Sequence, residues 1–161
     1  MSTATLRFET RRYDDPLVVS LVDILQADFV VRYGGPDATP VDPEQFVAPR
    51  GTFVVGVAPD GEAVAMGGYR VLHDPAFAVP TAEIKRMWVH PARRRRGHAR
   101  AVLAQLETDA AAAGLQALIL NTGREQPEAI ALYESMGYEP VPAFGHYADT
   151  PGALFYGRRV A

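Results

Sequence analysis

Cysteine is absent from this chain, and its absence excludes three kinds of chemistry. Disulfide bonds, thiolate metal sites and a cysteine nucleophile all require that residue. Long apolar runs are absent as well, so no segment is expected to span a membrane. The N-terminus also lacks the basic and then apolar layout of a secretory signal, and we therefore expect a cytoplasmic protein.

A strong charge of either sign is also missing. The 16 Lys and Arg residues against 19 Asp and Glu residues give a net charge of −3, which argues against nucleic acid as the main partner. Internal repeats, low-complexity segments and interdomain linkers are not found. A length of 161 residues, with 48% hydrophobic and 22% charged residues, predicts one globular domain over residues 1–161.

Basic charge is concentrated at one turn. Four arginines, Arg93 to Arg96, and then Gly97 lie between a predicted buried strand, Glu83–Val89, and a predicted helix, Ala99–Ala113. The N–H groups at a helix N-terminus are unpaired and the helix dipole adds positive potential, so such a turn suits phosphate. Arginine side chains add charge-assisted hydrogen bonds. The turn therefore predicts a binding site for a cofactor with a polyphosphate; the alternatives are a solvated basic face or a nucleic-acid patch.

Hydrophobic periodicity and turn residues predict the element order β-α-α-β-β-β-α-β-α-β-β. This order favours an α+β fold of three layers, in which helices cover a mixed sheet. The predicted strands are Leu6–Glu9, Thr52–Ala58, Ala63–Leu72, Glu83–Val89, Ala117–Leu120, Tyr138–Val141 and Ala153–Arg158. The predicted helices are Pro16–Tyr33 with Asp14 or Asp15 as its cap, a short one beginning at Asp42–Glu44, Ala99–Ala113, and Glu128–Met136.

Two motifs occur in this framework. Arg94-x-x-Gly97-x-Ala99 lies between a strand and a helix, and Glu128 to Tyr138 ends in Leu-Tyr-Glu-Ser-Met-Gly-Tyr. They resemble the Arg/Gln-x-x-Gly-x-Gly/Ala and Leu-Tyr-x-x-x-Gly-Phe/Tyr motifs of the GCN5-related N-acetyltransferases, the GNAT superfamily, and they occur in the same order. The chain resembles this superfamily over nearly its full length. The resemblance implies a sheet whose strands Glu83–Val89 and Ala117–Asn121 splay apart.

The resemblance also implies that the gap between those strands holds the pantetheine of acetyl-CoA, while the turn binds its pyrophosphate. No metal is expected, because the histidines show no ligand spacing and His90 and His98 are expected at the surface. Trp88 is expected either in the core or beside the gap. The residues predicted to bind acetyl-CoA are Met87, Trp88, Val89, Arg94, Arg95, Arg96, Gly97, His98, Ala99, Arg100, Asn121, Gln126, Ala129 and Tyr133.

Two residues are candidates for proton transfer. Tyr133 is the candidate donor to the departing thiolate, because a phenol and an alkyl thiol have similar pKa values. It shares a helical face with Ala129 and Gln126; the alternative is a core tyrosine whose hydroxyl is satisfied. Glu83 resembles the family glutamate that takes a proton from the amine through water. Its alternative role is a strand-end acid paired with Arg86 or Lys85.

The predicted acceptor is a small primary amine, acetylated directly in a ternary complex. The residues predicted to bind it are Asp28, Tyr33, His73, Glu83 and Tyr147, and acids such as Asp14, Asp15, Asp28 and Glu83 would favour a cationic amine. A non-catalytic acyl-CoA sensor on the same fold is the main alternative, and a nucleic-acid module is a weaker one. A homodimer through the C-terminal strands is also expected from the resemblance.

Overall fold

The computed structural model describes residues 5–161, so the first four residues of the predicted domain lie outside it. Its helices are α1 (Pro16–Tyr33), α2 (His98–Ala112) and α3 (Pro127–Ser135). Its strands are β1 (Arg7–Thr10), β2 (Gly51–Val57), β3 (Ala63–Leu72), β4 (Thr81–Val89), β5 (Ala117–Gly123), β6 (Glu139–Pro140) and β7 (Ala153–Arg159). Within these residues no helix has the length and apolar character needed to cross a bilayer.

The strands form one mixed sheet in the order β1-β2-β3-β4-β5-β7-β6. Strands β1 to β4 are antiparallel neighbours, whereas β4 and β5 are parallel and are joined through α2. One apolar layer lies between the sheet and α1 and contains Val18, Leu21, Phe53 and Trp88. The other layer contains α2 side chains such as Leu103 and Leu106, together with Tyr133 of α3. The predicted mixed sheet with helices on both faces is confirmed.

Helix boundaries follow from local chemistry. Asp15 is the cap of α1, because its Oδ1 accepts a hydrogen bond from the Leu17 N–H at 2.9 Å. Gly34 ends that helix with a φ of 81°, in the left-handed region that favours glycine. The predicted second helix is a single 3-10 turn, Pro43–Phe46, and the predicted strand Tyr138–Val141 pairs only at Glu139–Pro140. Prolines in and after that strand lack the N–H that would extend its ladder.

Strands β4 and β5 separate soon after they begin. They pair only where Thr81–Glu83 lies beside Ala117–Ile119, and beyond those residues the two strands share no ladder. The opening faces the carboxyl ends of both strands, which lead into α2 and α3. The predicted splayed sheet is therefore present, and the gap between β4 and β5 is the candidate position for a functional site.

Candidate active site

A cleft of about 710 Å³ occupies the gap between β4 and β5. Its volume is in the range of small-molecule sites. It is lined by the end of α1 and the following loop, by the middle of β4, by the end of β5 and by α3. The lining residues used below are Phe29, Tyr33, Asp37, Lys85, Arg86, Met87, Asn121, Gln126, Tyr133 and Tyr147.

The turn between β4 and α2 presents free backbone N–H groups. Arg95 and Gly97 adopt φ values of 64° and 79°, and Gly97 caps α2 without a side-chain hydrogen bond. The first bond of the helix runs from the Ala101 N–H to the Gly97 carbonyl at 3.0 Å. The N–H groups of His98, Ala99 and Arg100 precede that bond, so they are available to an anion.

The four arginines of this turn have different surroundings. Arg93 bonds Asp60 at 2.7 Å and Glu62 at 2.6 Å, so it belongs to the β2–β3 hairpin. Arg94 donates to the Val89 carbonyl at 3.3 Å. The exposed Arg95 and Arg96 form no side-chain hydrogen bond to any residue in the described range 5–161. Arg93, which is not among the residues predicted to bind acetyl-CoA, is therefore engaged elsewhere, whereas Arg95 and Arg96 are available to a ligand.

Tyr133 lies inside the cleft wall. Its side chain is 6% exposed, and its ring packs edge-on against Tyr138 with centroids 5.8 Å apart. Burial raises the pKa of Tyr133 to about 12, so the phenol keeps its proton at neutral pH. Its hydroxyl bonds no other side chain or backbone group within residues 5–161. The arrangement differs from that of an ordinary core tyrosine whose hydroxyl has a partner.

The amide side chains of the cleft connect it to α1. Gln126 donates from Nε2 to the Tyr33 hydroxyl at 2.8 Å, and both residues line the cleft with Asn121. A Cβ on Gly123 would lie 2.6 Å from that hydroxyl, so only glycine allows Tyr33 to lie so close to β5. Ala129 packs against the core and is not among the lining residues.

Glu83 is held by an arginine from the neighbouring strand. Arg70 donates a hydrogen bond from Nε to its Oε1 at 3.1 Å and forms an ion pair with the same oxygen from Nη2 at 3.0 Å, and both side chains are nearly buried. Arg70 also bonds the Pro40 carbonyl and Gln45. Glu83 is not among the cleft-lining residues. The expected partners, Arg86 and Lys85, were wrong, because both point to Asp37.

Asp37 is the centre of a buried polar cluster that sequence reasoning missed. It accepts hydrogen bonds from Thr39, from Tyr147 at 2.8 Å, from Lys85 at 3.2 Å and from Arg86. Burial alone would raise the pKa of Asp37, but Lys85, the Thr39 donors and Arg86 outweigh it and hold the pKa well below its ordinary value. The same burial lowers the pKa of Lys85.

Several predicted residues lie away from the cleft. Asp28 bonds Arg32 at 3.1 Å, and His73 is exposed on the loop after β3. Trp88 packs in the layer beneath α1, so of its two expected places the core is the one found.

The two histidines that flank the turn before α2 differ in exposure. His98 is buried at 4% exposure, so its expected surface location is wrong. Burial, with Arg96 and Arg93 nearby, lowers the pKa of His98. His90 caps the turn after β4 by accepting from the Ala92 N–H.

Similarity to known proteins identifies the family of this chain. The acetyltransferase (GNAT) family profile matches residues 18–138. The chain belongs to this family. The IAA acetyltransferase of Azospirillum brasilense is 42% identical over 84 residues, which are 50% of this chain and 55% of that protein, so the match spans about half the length of the curated relative.

Solved structures share the fold of this GNAT-family protein. A Klebsiella pneumoniae protein provisionally named acyl-CoA N-acyltransferase has a TM-score of 0.78 at 25% identity, covering 97% of this chain and 98% of its own. An aminoglycoside 6′-N-acetyltransferase in complex with coenzyme A has a TM-score of 0.69 at 17% identity, covering 96% and 97%. At these identities the likeness establishes the arrangement of the sheet and helices.

One sequence signal pointed to the Asp37 cluster of this GNAT-family protein. The strand Glu83–Val89 is predicted to be buried, yet it contains Glu83, Lys85 and Arg86. Charges in a buried strand need partners. Their partners Arg70 and Asp37 lie 13 and 48 residues away in the chain, and no local pattern assigns such pairs.

Proposed function

We propose that this GNAT acetyltransferase moves the acetyl group of acetyl-CoA to the primary amine of a small molecule, by direct transfer with both substrates bound. The observation that carries the proposal is the separation of β4 and β5 after Glu83 and Ile119, which opens a cleft at the strand ends leading into α2 and α3. A thioester seated between those strands would lie beside Tyr133, with its nucleotide end at the turn before α2.

The donor would bind mainly to the backbone. Strand edges that no longer pair, near Met87 and Asn121, would hydrogen-bond the pantetheine amides as an added strand does. The free N–H groups at the start of α2 would bind the pyrophosphate, aided by the helix dipole. The exposed Arg95 and Arg96 would neutralise phosphate charge. Trp88 would contribute only its backbone groups, because its side chain is buried in the core.

The chemistry needs an oxyanion donor and a proton for the leaving sulfur. The neutral amine nitrogen attacks the thioester carbonyl carbon, and backbone N–H groups at the β4 bulge near Met87 would stabilise the oxyanion. When the C–S bond breaks, Tyr133 would give its proton to the sulfur. The proton lost by the amine then returns through water to the tyrosinate, so that acetylated amine and free CoA thiol leave.

Glu83 is better explained as a structural acid than as the base. Its carboxylate already accepts a hydrogen bond from Arg70 and forms an ion pair with it, and Glu83 is absent from the cleft lining. A base must come within hydrogen-bond reach of the proton that it removes, directly or through one water. We therefore infer that the amine enters the cleft in its neutral form and loses its proton through water.

A panel of amines tests this function. The purified protein is mixed with acetyl-CoA and amino acids, polyamines, aminoglycosides or short peptides; free CoA thiol is followed by absorbance and the product by mass spectrometry. Acetylation of small amines with intersecting double-reciprocal plots is expected. Parallel plots would contradict direct transfer, and turnover with peptides alone would contradict a small-molecule acceptor. Binding of acetyl-CoA without turnover of any amine would favour the non-catalytic sensor.

A further inference from the structure

Two cations lie side by side in the inner part of the cleft. Lys85 and Arg86 are consecutive on β4, line the cleft, and have side chains that are 5% and 4% exposed. Lys85 is the only lysine in the sequence. Burying a cation is costly unless a negative group accompanies it. The partners of these two side chains therefore indicate whether the cleft itself has a charge preference.

A bulge in β4 brings both side chains to the same carboxylate. Consecutive side chains of a regular strand point to opposite faces. Here the register against β3 shifts between the pairs Met66–Trp88 and Gly68–Lys85, and Arg86 has a φ of 61°. The extra residue lets Lys85 and Arg86 both reach Asp37. Bulges re-aim side chains in this way.

Asp37 leaves one positive charge without compensation. Its Oδ1 accepts from the Thr39 N–H at 3.0 Å, the Thr39 hydroxyl at 2.7 Å and the Tyr147 hydroxyl at 2.8 Å, while Oδ2 accepts from Lys85 and Arg86. One carboxylate thus faces two cations and has no acceptor site to spare. Glu83, the other acid of β4, is engaged by Arg70.

Both cations retain donors for a ligand. The Lys85 ammonium bonds Asp37 and Thr39, which uses two of its three N–H groups. Arg86 uses Nε on Tyr13 and Nη1 on Asp37, and its Nη2 bonds no residue in the described part of the chain. Since no fully buried side-chain nitrogen there lacks a partner, Nη2 is not fully buried, and Arg86 is one of the residues that line the cleft.

We propose that the acceptor amine also carries a carboxylate, and that Lys85 and Arg86 bind this group. The proposal rests on the proposed function, because it names the class of amine that the same cleft takes. The rings of Phe29 and Tyr33 in the cleft suit an apolar carbon frame, as in an amino acid with an apolar side chain. The phosphates of CoA are not the anion that Lys85 and Arg86 would bind, because the turn predicted to bind those phosphates lies after the end of β4.

Matched pairs of acceptors test the proposal. Each α-amino acid is compared with its carboxamide, which has the same shape without the charge. Lys85→Met keeps the length of the side chain and leaves Asp37 paired with Arg86. We expect kcat/KM for amino acids to fall about thirtyfold in this variant, the usual cost of losing a hydrogen bond to a charged group, with carboxamides changed less than about threefold.

Two controls accompany the variant. Arg50→Met removes an equal charge from an exposed position outside the cleft and is expected to leave both acceptor classes unchanged. The KM for acetyl-CoA is expected to stay constant in Lys85→Met. Equal losses for amino acids and carboxamides, or carboxamides and polyamines as the preferred wild-type acceptors, would overturn the proposal.

A binding measurement separates this proposal from the proposed function. As the only lysine, Lys85 gives a single set of lysine ¹³Cε–¹Hε signals in the NMR spectrum of uniformly labelled protein. With CoA present, a saturable shift of that signal is expected with an amino acid and not with its carboxamide. A shift without turnover would refute acetyl transfer and support the carboxylate subsite; turnover without a shift would support acetyl transfer and refute the subsite.

Discussion

The Tyr133 side chain is nearly buried at the wall of the cleft, and its hydroxyl bonds no other group among the described residues. Since no fully buried side-chain oxygen in that range lacks a partner, this hydroxyl is accessible and can reach a bound ligand. Tyr133→Phe removes the hydroxyl and keeps the ring against Tyr138. If the phenol donates the proton, kcat should fall roughly 100-fold or more, with the KM for acetyl-CoA within a few-fold, as measured by steady-state kinetics.

Tyr138→Phe is the matched control for that change. Tyr138 is also buried, but its hydroxyl bonds Glu107 at 3.0 Å and it is not among the cleft-lining residues. We expect this variant to lose stability and to keep its turnover. An equal loss of kcat in both variants would assign Tyr133 to packing.

For Glu83 we predict the opposite outcome, a loss of stability without a loss of turnover. Glu83→Gln keeps one acceptor for Arg70 and removes the charge, so unfolding in denaturant should show a loss of about 1 to 3 kcal/mol. We expect kcat to change less than a few-fold and the pH profile to keep its shape. A large fall in kcat with loss of the acidic limb would restore Glu83 as the base.

At the scale of elements, the arginines of the turn before α2 differ in their surroundings. Replacing both Arg95 and Arg96 with Gln should weaken acetyl-CoA binding about tenfold or more and reduce its dependence on salt, as measured by calorimetry. The expectation follows because these two side chains are exposed near the free N–H groups, and no acidic side chain within residues 5–161 forms an ion pair with them.

Arg93→Gln removes a charge from the same run of four and serves as its control. Arg93 is held by Asp60 and Glu62, so its loss should leave the dissociation constant of acetyl-CoA unchanged. An equal effect from Arg93 would indicate that the turn attracts the donor by total charge alone, without a defined geometry.

For the whole molecule, Asp37 joins the loop after α1, strand β4 and the loop before β7. Its folded pKa is lowered below the ordinary value of 3.8, so the folded state binds its proton less readily than the unfolded state. The stability that it contributes is therefore complete above that value and is lost as the pH falls toward the folded pKa. Acid unfolding should begin below about pH 4 for this reason.

Asp37→Asn tests the link between this carboxylate and stability. The variant leaves Lys85 and Arg86 buried without their counter-charge, so we expect a loss of roughly 3 kcal/mol at neutral pH and a flatter dependence of stability on acid pH. Asp60→Asn at the surface pair with Arg93 is the control and should leave the profile nearly unchanged. An unchanged acid profile in Asp37→Asn would show that other carboxylates control it.

Local features of the chain predicted much of the fold. The Asp15 cap, the Gly34 stop and the apolar stripe of α1 are all set within a few residues of one another. Boundaries failed where a local rule met a competing one, as at Pro140, where a missing N–H shortens β6. The turn before α2, which we propose to bind phosphate, was also predictable as a candidate, because its N–H groups and arginines belong to one short segment.

The sequence by itself determined the order of elements, the family motifs and the turn before α2, because periodicity, capping and turn chemistry act between near neighbours. Only the tertiary structure decided which charges pair at the cleft. Tyr147 and Asp37 are 110 residues apart in the chain, and a bulge of one residue in β4 redirects Arg86 to the same carboxylate. Contacts of that range depend on how the sheet and loops come together, and they give the cleft its excess of positive charge.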